Sequence, residues 1–476
     1  MTNTHQMALS APFRLTPEQI TTLHDASLEI MTKTGLRFSD QEALDLFKKA
    51  GCKVSDGDLV FIDSKLVEWA LECAPKNIMI YDRNGQEAMN LGSDRCYYGV
   101  GSDCAYLYDI ESGERRRAKK QDVKDAIHLV DALENVDFAM SMVLPEDIPV
   151  GKHEPFQVAT MMAETTKPIV FVGENLQSSK CAIEMATAVT GSEQALAKAP
   201  FVINYINTIS AFKHNTESVR RLLYAAGKNL PSVYAPAQTR GTVGPITTAG
   251  AVALGNAGHM GGLVLSQLKR GGSPFIRSTL GGESMDLRSM LDLYVAPDDG
   301  LMGWDLARSH GLPIFGTAGC SESKIFDGQA ASEAALSLFT STINGANLIH
   351  DLGYLDCAMT YSFEMLMLCD EIVGWLKKYL RPPVINAETL ALDVIHEIGP
   401  DDNFLKAKHT FKHVREDWQP LLFDHDHYHK WDKKGRLTFE TKAKAKIANI
   451  IDSHQSSKLP TDVLQKIETI RDRYSA

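Results

Sequence analysis

The stretch from residue 316 to residue 366, GTAGCSESKIFDGQAASEAALSLFTSTINGANLIHDLGYLDCAMTYSFEML, decides the fold class of this chain. With the apolar residues before it and the helix that continues beyond it, the pattern predicts a strand at 313–315, a helix over 327–344, a strand at 347–350 and a helix over 361–379. The polar pair His350 and Asp351 comes where the second strand ends. A (β/α)8 barrel carries its chemistry at the ends of its strands, so this stretch indicates both a fold and a candidate site.

The same alternation of short apolar strands and longer helices extends through the chain from about residue 119. Further strands are predicted at 138–143, 169–172, 201–206, 232–235 and 275–278, and further helices at 119–133, 152–165, 178–190, 214–229, 246–269 and 299–310. Alternating strands and helices form parallel sheets, and the number approaches the eight of a closed barrel. No G-x-G-x-x-G follows a strand, which disfavours an open dinucleotide-binding sheet. We predict an α/β fold, a TIM-type (β/α)8 barrel whose eighth strand comes from the 95–110 region or from the tail.

Length and composition are those of a large globular enzyme. The chain has 476 residues, 44% of them hydrophobic, and a net charge of −11, which argues against a nucleic-acid partner or an anionic membrane surface. We expect an N-terminal helical and β-hairpin elaboration over 1–118, the barrel core over 119–381 and a helical C-terminal cap over 382–476. The scattered cysteines, with no C-x-x-C pair, and the lack of a signal-like N-terminus or a long apolar run predict a cytoplasmic protein.

Aromatic and polar side chains gather at the predicted strand ends and form the candidate substrate site. The aromatic candidates are Tyr97, Tyr205, Tyr234, Phe315 and Tyr354. Ring faces attract quaternary ammonium ions, which have no N–H group to donate. Arg277 or His350 could hold a substrate carboxylate, and Asp103 could balance an ammonium. The alternative is that the rings pack the barrel mouth and that the polar groups form ion pairs beneath the loops.

Two other patterns invite a metal or cofactor interpretation. The sequence HDLG at residues 350–353 resembles part of the D-x-H-x-x-G motif that holds a corrinoid, but Leu348 stands where the aspartate would be. The tract DHDHYH at residues 424–429 is rich in metal-ligand types, yet it lacks the helical spacing of a catalytic zinc site. We predict no metal site and no tightly bound cofactor. A metal-dependent barrel hydrolase that uses this tract stays as an alternative.

Several motifs together resemble the trimethylamine methyltransferase family over nearly the whole chain. They are YGVGSD at 98–103, GERR at 113–116 with Asp122-Val123 beyond it, GPIT at 244–247, DGQAASE at 327–333, and Phe404-Leu405 with His409-Thr410. The resemblance implies a (β/α)8 barrel that moves a methyl group from an amine to the corrinoid of a separate partner protein. No catalytic residue of the chain is then expected to act as the nucleophile, because the Co(I) of the partner's corrinoid does so.

One departure from the family bears on the substrate. Members that use trimethylamine carry pyrrolysine, whereas this chain has only the twenty standard residues. A quaternary ammonium expels a neutral tertiary amine and needs no such activation. The chain therefore resembles most the branch that includes glycine betaine methyltransferases, which leave dimethylglycine. The alternatives are another quaternary amine (proline betaine, carnitine or γ-butyrobetaine) and a noncatalytic betaine-binding protein. A homo-oligomer is a further expectation.

Overall fold

A closed barrel of parallel strands forms the centre of the computed structural model, which describes residues 13–92, 95–278, 283–293, 301–416 and 418–474. Its strands are Tyr97–Val100 (β1), residues 138–139 (β2), Ile169–Val172 (β3), Val202–Asn207 (β4), Ser232–Ala235 (β5), Phe275–Ser278 (β6), Ile314–Thr317 (β7) and Leu348–Leu352 (β8). Neighbours in this order pair in parallel, and β8 pairs with β1 to close the ring. The short β2 joins β1 and β3 through single bridges, Gly99 to Phe138 and Ala139 to Ile169.

A helix follows each strand in the described chain, as the (β/α)8 pattern requires. These helices are Lys120–Ala132 (α1), His153–Glu164 (α2), Leu176–Thr190 (α3), Thr216–Gly227 (α4), Thr248–Lys269 (α5), Leu301–Ser309 (α6), Gly328–Ile343 (α7) and Phe363–Tyr379 (α8). The prediction of a TIM-type barrel is confirmed. Its eighth strand is β1, which lies within the 95–110 region named from the sequence.

Local sequence signals set the two βα units that the site uses. Asp327 caps α7, accepting a hydrogen bond from the backbone N–H of Ala330 at 3.0 Å, and Ser362 caps α8 in the same way through Met365 at 3.2 Å. Such caps satisfy amide groups that a helix start otherwise leaves without a partner. They fix where each helix begins after its strand.

A β-hairpin closes the end of the barrel at which the strands begin. Its strands are Ile78–Tyr81 and Glu87–Leu91. The backbone N–H of Tyr81 donates to the Pro200 carbonyl at 2.9 Å, and that of Arg83 donates to Thr166 at 2.8 Å. Because Pro200 and Thr166 precede β4 and β3, this end is covered, and the opposite end carries the loops available for chemistry.

The remaining elements pack around the barrel. Before it lie the helices Pro17–Glu29, Ile30–Thr34, Gln41–Lys49 and Ser64–Cys73 and the strands Leu36–Phe38, Lys53–Ser55 and Leu59–Phe61. After β1 come the short strands Tyr106–Tyr108, Arg115–Arg117, Lys213–His214, Thr239–Arg240, Glu283–Asp286, Leu291–Asp292, Tyr354–Leu355 and Thr360–Tyr361. The tail contains Ala387–Leu390, Leu392–Ile398, Phe404–Lys406, Lys408–His413, Tyr428–Lys433, Phe439–Ser453 and Thr461–Tyr474. No helix in the described ranges could span a lipid bilayer.

Candidate active site

The alternation of side chains along each strand decides which candidates face the barrel interior. In the pairing of β4 with β5, Tyr205 is level with Val233, and Ile206 is level with Tyr234. Tyr205 and Val233 belong to one cluster of buried residues, whereas Ile206 and Tyr234 belong to a second cluster that includes residues of α4 and α5. Successive side chains point to opposite faces of a sheet, so this register divides the predicted residues into two groups.

Three of the predicted residues meet inside the barrel: Tyr205 of β4, Phe315 of β7 and His350 of β8. The ring centroids of Phe315 and His350 are 4.1 Å apart, those of Tyr205 and Phe315 are 5.4 Å apart, and those of Tyr205 and His350 are 6.4 Å apart. Their exposed fractions are only 7%, 0% and 6% in the order Tyr205, Phe315 and His350. Tyr205 lies in the second half of β4, His350 in the middle of β8 and Phe315 in the first half of β7, and we call the three residues the aromatic layer.

His350 forms a proton-sharing pair with its neighbour Asp351. Nδ1 of His350 lies 2.8 Å from the Gly316 carbonyl oxygen, which can only accept, so Nδ1 carries a hydrogen. Nε2 lies 3.3 Å from Asp351 Oδ2, and a proton on either atom can bridge the two. Burial raises the pKa of Asp351, and the nearby His350 lowers it in part. The pair therefore places a carboxyl group and an imidazole in contact inside the barrel.

The loop after β1 interlocks with the loop after β8. The Tyr354 hydroxyl donates to the Ser102 carbonyl at 2.5 Å. A methyl group added at Gly101 would overlap Asp351 Oδ1 and the end of the Tyr354 ring. Gly101 is therefore required for close approach, since only a hydrogen leaves room for both side chains. This contact fixes Asp351, and through it His350.

Asp103 anchors a second polar network beside the aromatic layer. Its Oδ1 accepts a hydrogen bond from Ser141 Oγ at 2.9 Å and from Gln157 Nε2 at 3.0 Å. Gln157 also donates to the Val143 carbonyl at 2.9 Å. Burial raises the pKa of Asp103, and both hydrogen bonds lower it in part. The residue has a positive φ of 66°, an unusual backbone conformation that places it at a sharp turn after β1.

Two of the predicted residues, Tyr234 and Arg277, lie on the outer face of the barrel strands, away from the aromatic layer. The Tyr234 hydroxyl is 2.6 Å from His214 Nδ1 on the outer face of β5, beneath α5. Arg277 shares that face, as its register with Tyr234 requires, and donates to Asn256 Oδ1 of α5 at 2.7 Å. Burial lowers the pKa of Arg277 to about 9.

Tyr97 lies near the covered end of the barrel. It begins β1, and its hydroxyl oxygen accepts a hydrogen bond from the backbone N–H of Asn90 in the closing hairpin at 2.9 Å. The structure thus brings together Tyr205, Phe315 and His350, places Asp103 and Tyr354 in the segments that follow β1 and β8, and leaves Tyr97 at the opposite end.

Sequence reasoning assigned no role to the residues that support the site. Asp351 stood next to a chosen histidine, and its position at a strand end was a usable signal. Ser141 and Gln157 offered none, because they come from the segment after β2 and from the middle of α2. Only the closed barrel brings them to Asp103.

The histidine- and aspartate-rich tract in the tail forms surface ion pairs. Asp426 is bonded by Lys430 and by Lys434, and Asp424 lies 3.4 Å from Lys442 Nζ. His427 caps the helix Tyr428–Lys433. Two of the acidic groups in the tract are therefore already engaged with lysines, which lowers their availability to a metal ion.

Comparison with known proteins identifies the family. A family model described as trimethylamine methyltransferase matches residues 4–475. The chain belongs to this family. It is similar to a glycine betaine methyltransferase of Desulfitobacterium hafniense, with 27% identity over 95% of both chains. It is also similar to a trimethylamine methyltransferase of that species, with 28% identity over 95% of this chain and 92% of the relative, and to one of Methanosarcina barkeri, with 27% identity over 96% and 94%.

Among solved structures, the chain is similar to the monomethylamine methyltransferase of Methanosarcina barkeri. The superposition covers 96% of this chain and 92% of the methyltransferase chain, with 10% sequence identity and a TM-score of 0.45. Family membership makes this chain a methyltransferase. The barrel that the sequence predicted and the transferase activity that the motifs implied both agree with that assignment.

Proposed function

We propose that this methyltransferase removes one methyl group from glycine betaine and transfers it to the Co(I) corrinoid of a separate partner protein, leaving dimethylglycine. The observation that supports the proposal most directly is the aromatic layer inside the barrel. Tyr205, Phe315 and His350 bring three rings close together, with centroids 4.1 to 6.4 Å apart. A trimethylammonium group is bound by ring faces and by shape, because it has no hydrogen to donate.

The balance of the reaction explains why this chain needs no nucleophile of its own. The partner's corrinoid supplies the electron pair that forms the new bond to carbon. The N–CH3 bond breaks, and its electron pair stays on nitrogen, so the leaving group is a neutral tertiary amine that needs no proton. The work left to the protein is to hold the N–CH3 bond in line with the acceptor and to exclude water.

The polar residues of the site have separate roles in this proposal. In this proposal the Asp351 carboxyl, held against Gly101, balances the cationic end of the substrate, and the Asp103 network supports the loop after β1. His350 keeps its role as a ligand for the substrate carboxylate. Its Nε2 is 3.3 Å from Asp351, longer than a strong charge-assisted hydrogen bond, so a substrate carboxylate can compete for that proton. Arg277 is left out, because it faces α5.

The decisive experiment follows the visible spectrum of cob(I)alamin mixed with the purified protein and each candidate amine. We expect conversion to methylcobalamin with glycine betaine and none with trimethylamine. Conversion only with proline betaine, carnitine or γ-butyrobetaine would move the substrate to a larger quaternary amine. Betaine binding by calorimetry without conversion, both with free cobalamin and with the corrinoid partner, would make the protein a betaine-binding protein and refute the proposal.

A further inference from the structure

A segment of the tail projects from the barrel without a core of its own. Residues 384–416, here called the arm, are all described, and none of them is buried. Large apolar side chains on the arm face solvent: Ile385 is 76% exposed, Leu405 is 74% exposed and Phe411 is 70% exposed. Several large apolar side chains left exposed on one segment indicate a surface that another molecule covers.

The polar side of the arm is already satisfied within the arm. Glu388 Oε1 accepts hydrogen bonds from Lys412 Nζ at 2.5 Å and from His413 Nε2 at 3.1 Å. His409 Nε2 donates to the Glu388 carbonyl oxygen at 3.0 Å. These contacts join the two ends of the arm into one unit. The helices of the arm have seven residues or fewer and are too short to be stable alone in water. The arm therefore needs an apolar surface to pack against.

An apolar groove lies on the same molecule, between α7 and α8. It has a volume of about 420 Å³ and is lined by Ala331, Ala335, Phe339, Trp375, Tyr379 and Phe423, among others. Tyr379 is 64% exposed and Trp375 is 57% exposed, although both rings are large and apolar. The groove therefore offers the kind of surface that the arm would cover.

The arm and the groove adjoin one another. The arm starts five residues after Tyr379 and ends just before Trp418, whose ring stacks on Trp375 at 6.2 Å with an interplanar angle of 7°. Phe423, which follows the arm, also lines the groove. Because the arm projects beside the groove, this surface can pair with the same surface of a second copy. A two-fold axis next to the arm and the groove would bring the arm of each copy to the groove of the other.

The position of this surface favours a second copy over the corrinoid partner. Tyr379 ends α8, and α8 runs from the catalytic end of the barrel towards the end that the hairpin closes. A corrinoid protein must reach the open end of the barrel, where the loops that follow the strands lie. We propose that the arm of each chain packs into the groove of a second copy, forming a closed arm-exchanged dimer. Two arm-in-groove contacts would form in such a dimer, and a stable interface of standard size buries on the order of 1,600 Å² in total.

The test compares three variants of the full chain by sedimentation velocity and light scattering. The arm variant is Leu405→Asp with Phe411→Asp, and the groove variant is Ala335→Arg. The control is Val150→Asp, which changes an apolar residue that is 89% exposed and belongs to neither surface. We expect dimers, or larger assemblies built from them, for the wild type and the control, and monomers for the other two. Unchanged circular dichroism and a single cooperative melting transition would show that each variant is folded, as the exposure of the changed positions predicts.

Mixing the arm variant with the groove variant distinguishes exchange from other interfaces. A mixed dimer keeps one intact arm and one intact groove facing each other, so we expect it to form more readily than either variant dimerises alone. A monomeric wild type at about 50 µM, a dimer that survives both substitutions, or a mixture with no gain in association would each overturn the proposal. None of these outcomes depends on which amine is the substrate.

Discussion

Replacing Phe315 with Leu tests whether the aromatic layer binds a cation. The Phe315 ring lies between His350, at 4.1 Å, and Tyr205, at 5.4 Å, and it is fully buried. Leucine keeps an apolar side chain there but removes the ring face. A desolvated cation–π contact contributes about 2 kcal/mol, so we expect KM for glycine betaine to rise by about 10- to 30-fold. The free energy of unfolding should fall by about 1 kcal/mol.

Phe275→Leu is the matched control. Phe275 is also fully buried on a barrel strand, but it faces outward and packs near Tyr234 at 6.0 Å. We expect a similar loss of stability and a KM close to that of the wild type. Steady-state kinetics with the corrinoid partner and chemical denaturation measure the two quantities separately.

An uncharged isostere separates a cation contact from simple packing. In 3,3-dimethylbutanoate a carbon replaces the quaternary nitrogen of glycine betaine, and the shape is retained. The wild type should bind glycine betaine more tightly than this analogue, and Phe315→Leu should reduce that difference. Equal loss of affinity for both ligands, or equal effects of the Phe315 and Phe275 substitutions on KM, would refute the reasoning.

Three further predictions follow from the packing and the pKa shifts. Gly101→Ala should destabilise the protein by at least about 2 kcal/mol and abolish methyl transfer, because the added Cβ would overlap Asp351 Oδ1. The control Gly271→Ala has open space around the added Cβ and should have neither effect. Wild-type activity of Gly101→Ala would contradict the contact between the two loops. Tyr234→Phe should lower the melting temperature without changing KM, because the hydroxyl is hydrogen-bonded to His214 away from the aromatic layer; a raised KM would place Tyr234 in the site. The pKa of the Asp351 carboxyl is raised in the folded state, so the folded protein favours the protonated form. The contribution of this group to the free energy of unfolding is therefore full below its unfolded pKa of about 3.9 and falls as the pH rises above that value. Asp351→Asn should therefore gain stability relative to the wild type between about pH 4 and pH 7, by denaturant unfolding, and the opposite trend would mean a lowered pKa.

The sequence by itself determined the order of the elements and the fold class. Apolar strands that alternate with helices leave few arrangements other than a parallel barrel. The motifs also indicated the family, because they are spread over nearly the whole chain.

Only the tertiary structure decided which side chains face the interior. Strands of a parallel barrel are buried on both sides, so apolar residues occur on both faces and the two-residue period does not reveal the inward face. Tyr205 and Tyr234 look alike in the sequence, yet the register of β4 and β5 sends the first into the barrel and the second against α5. Asp103 and Gln157 meet for the same reason: closure of the barrel brings distant strand ends together.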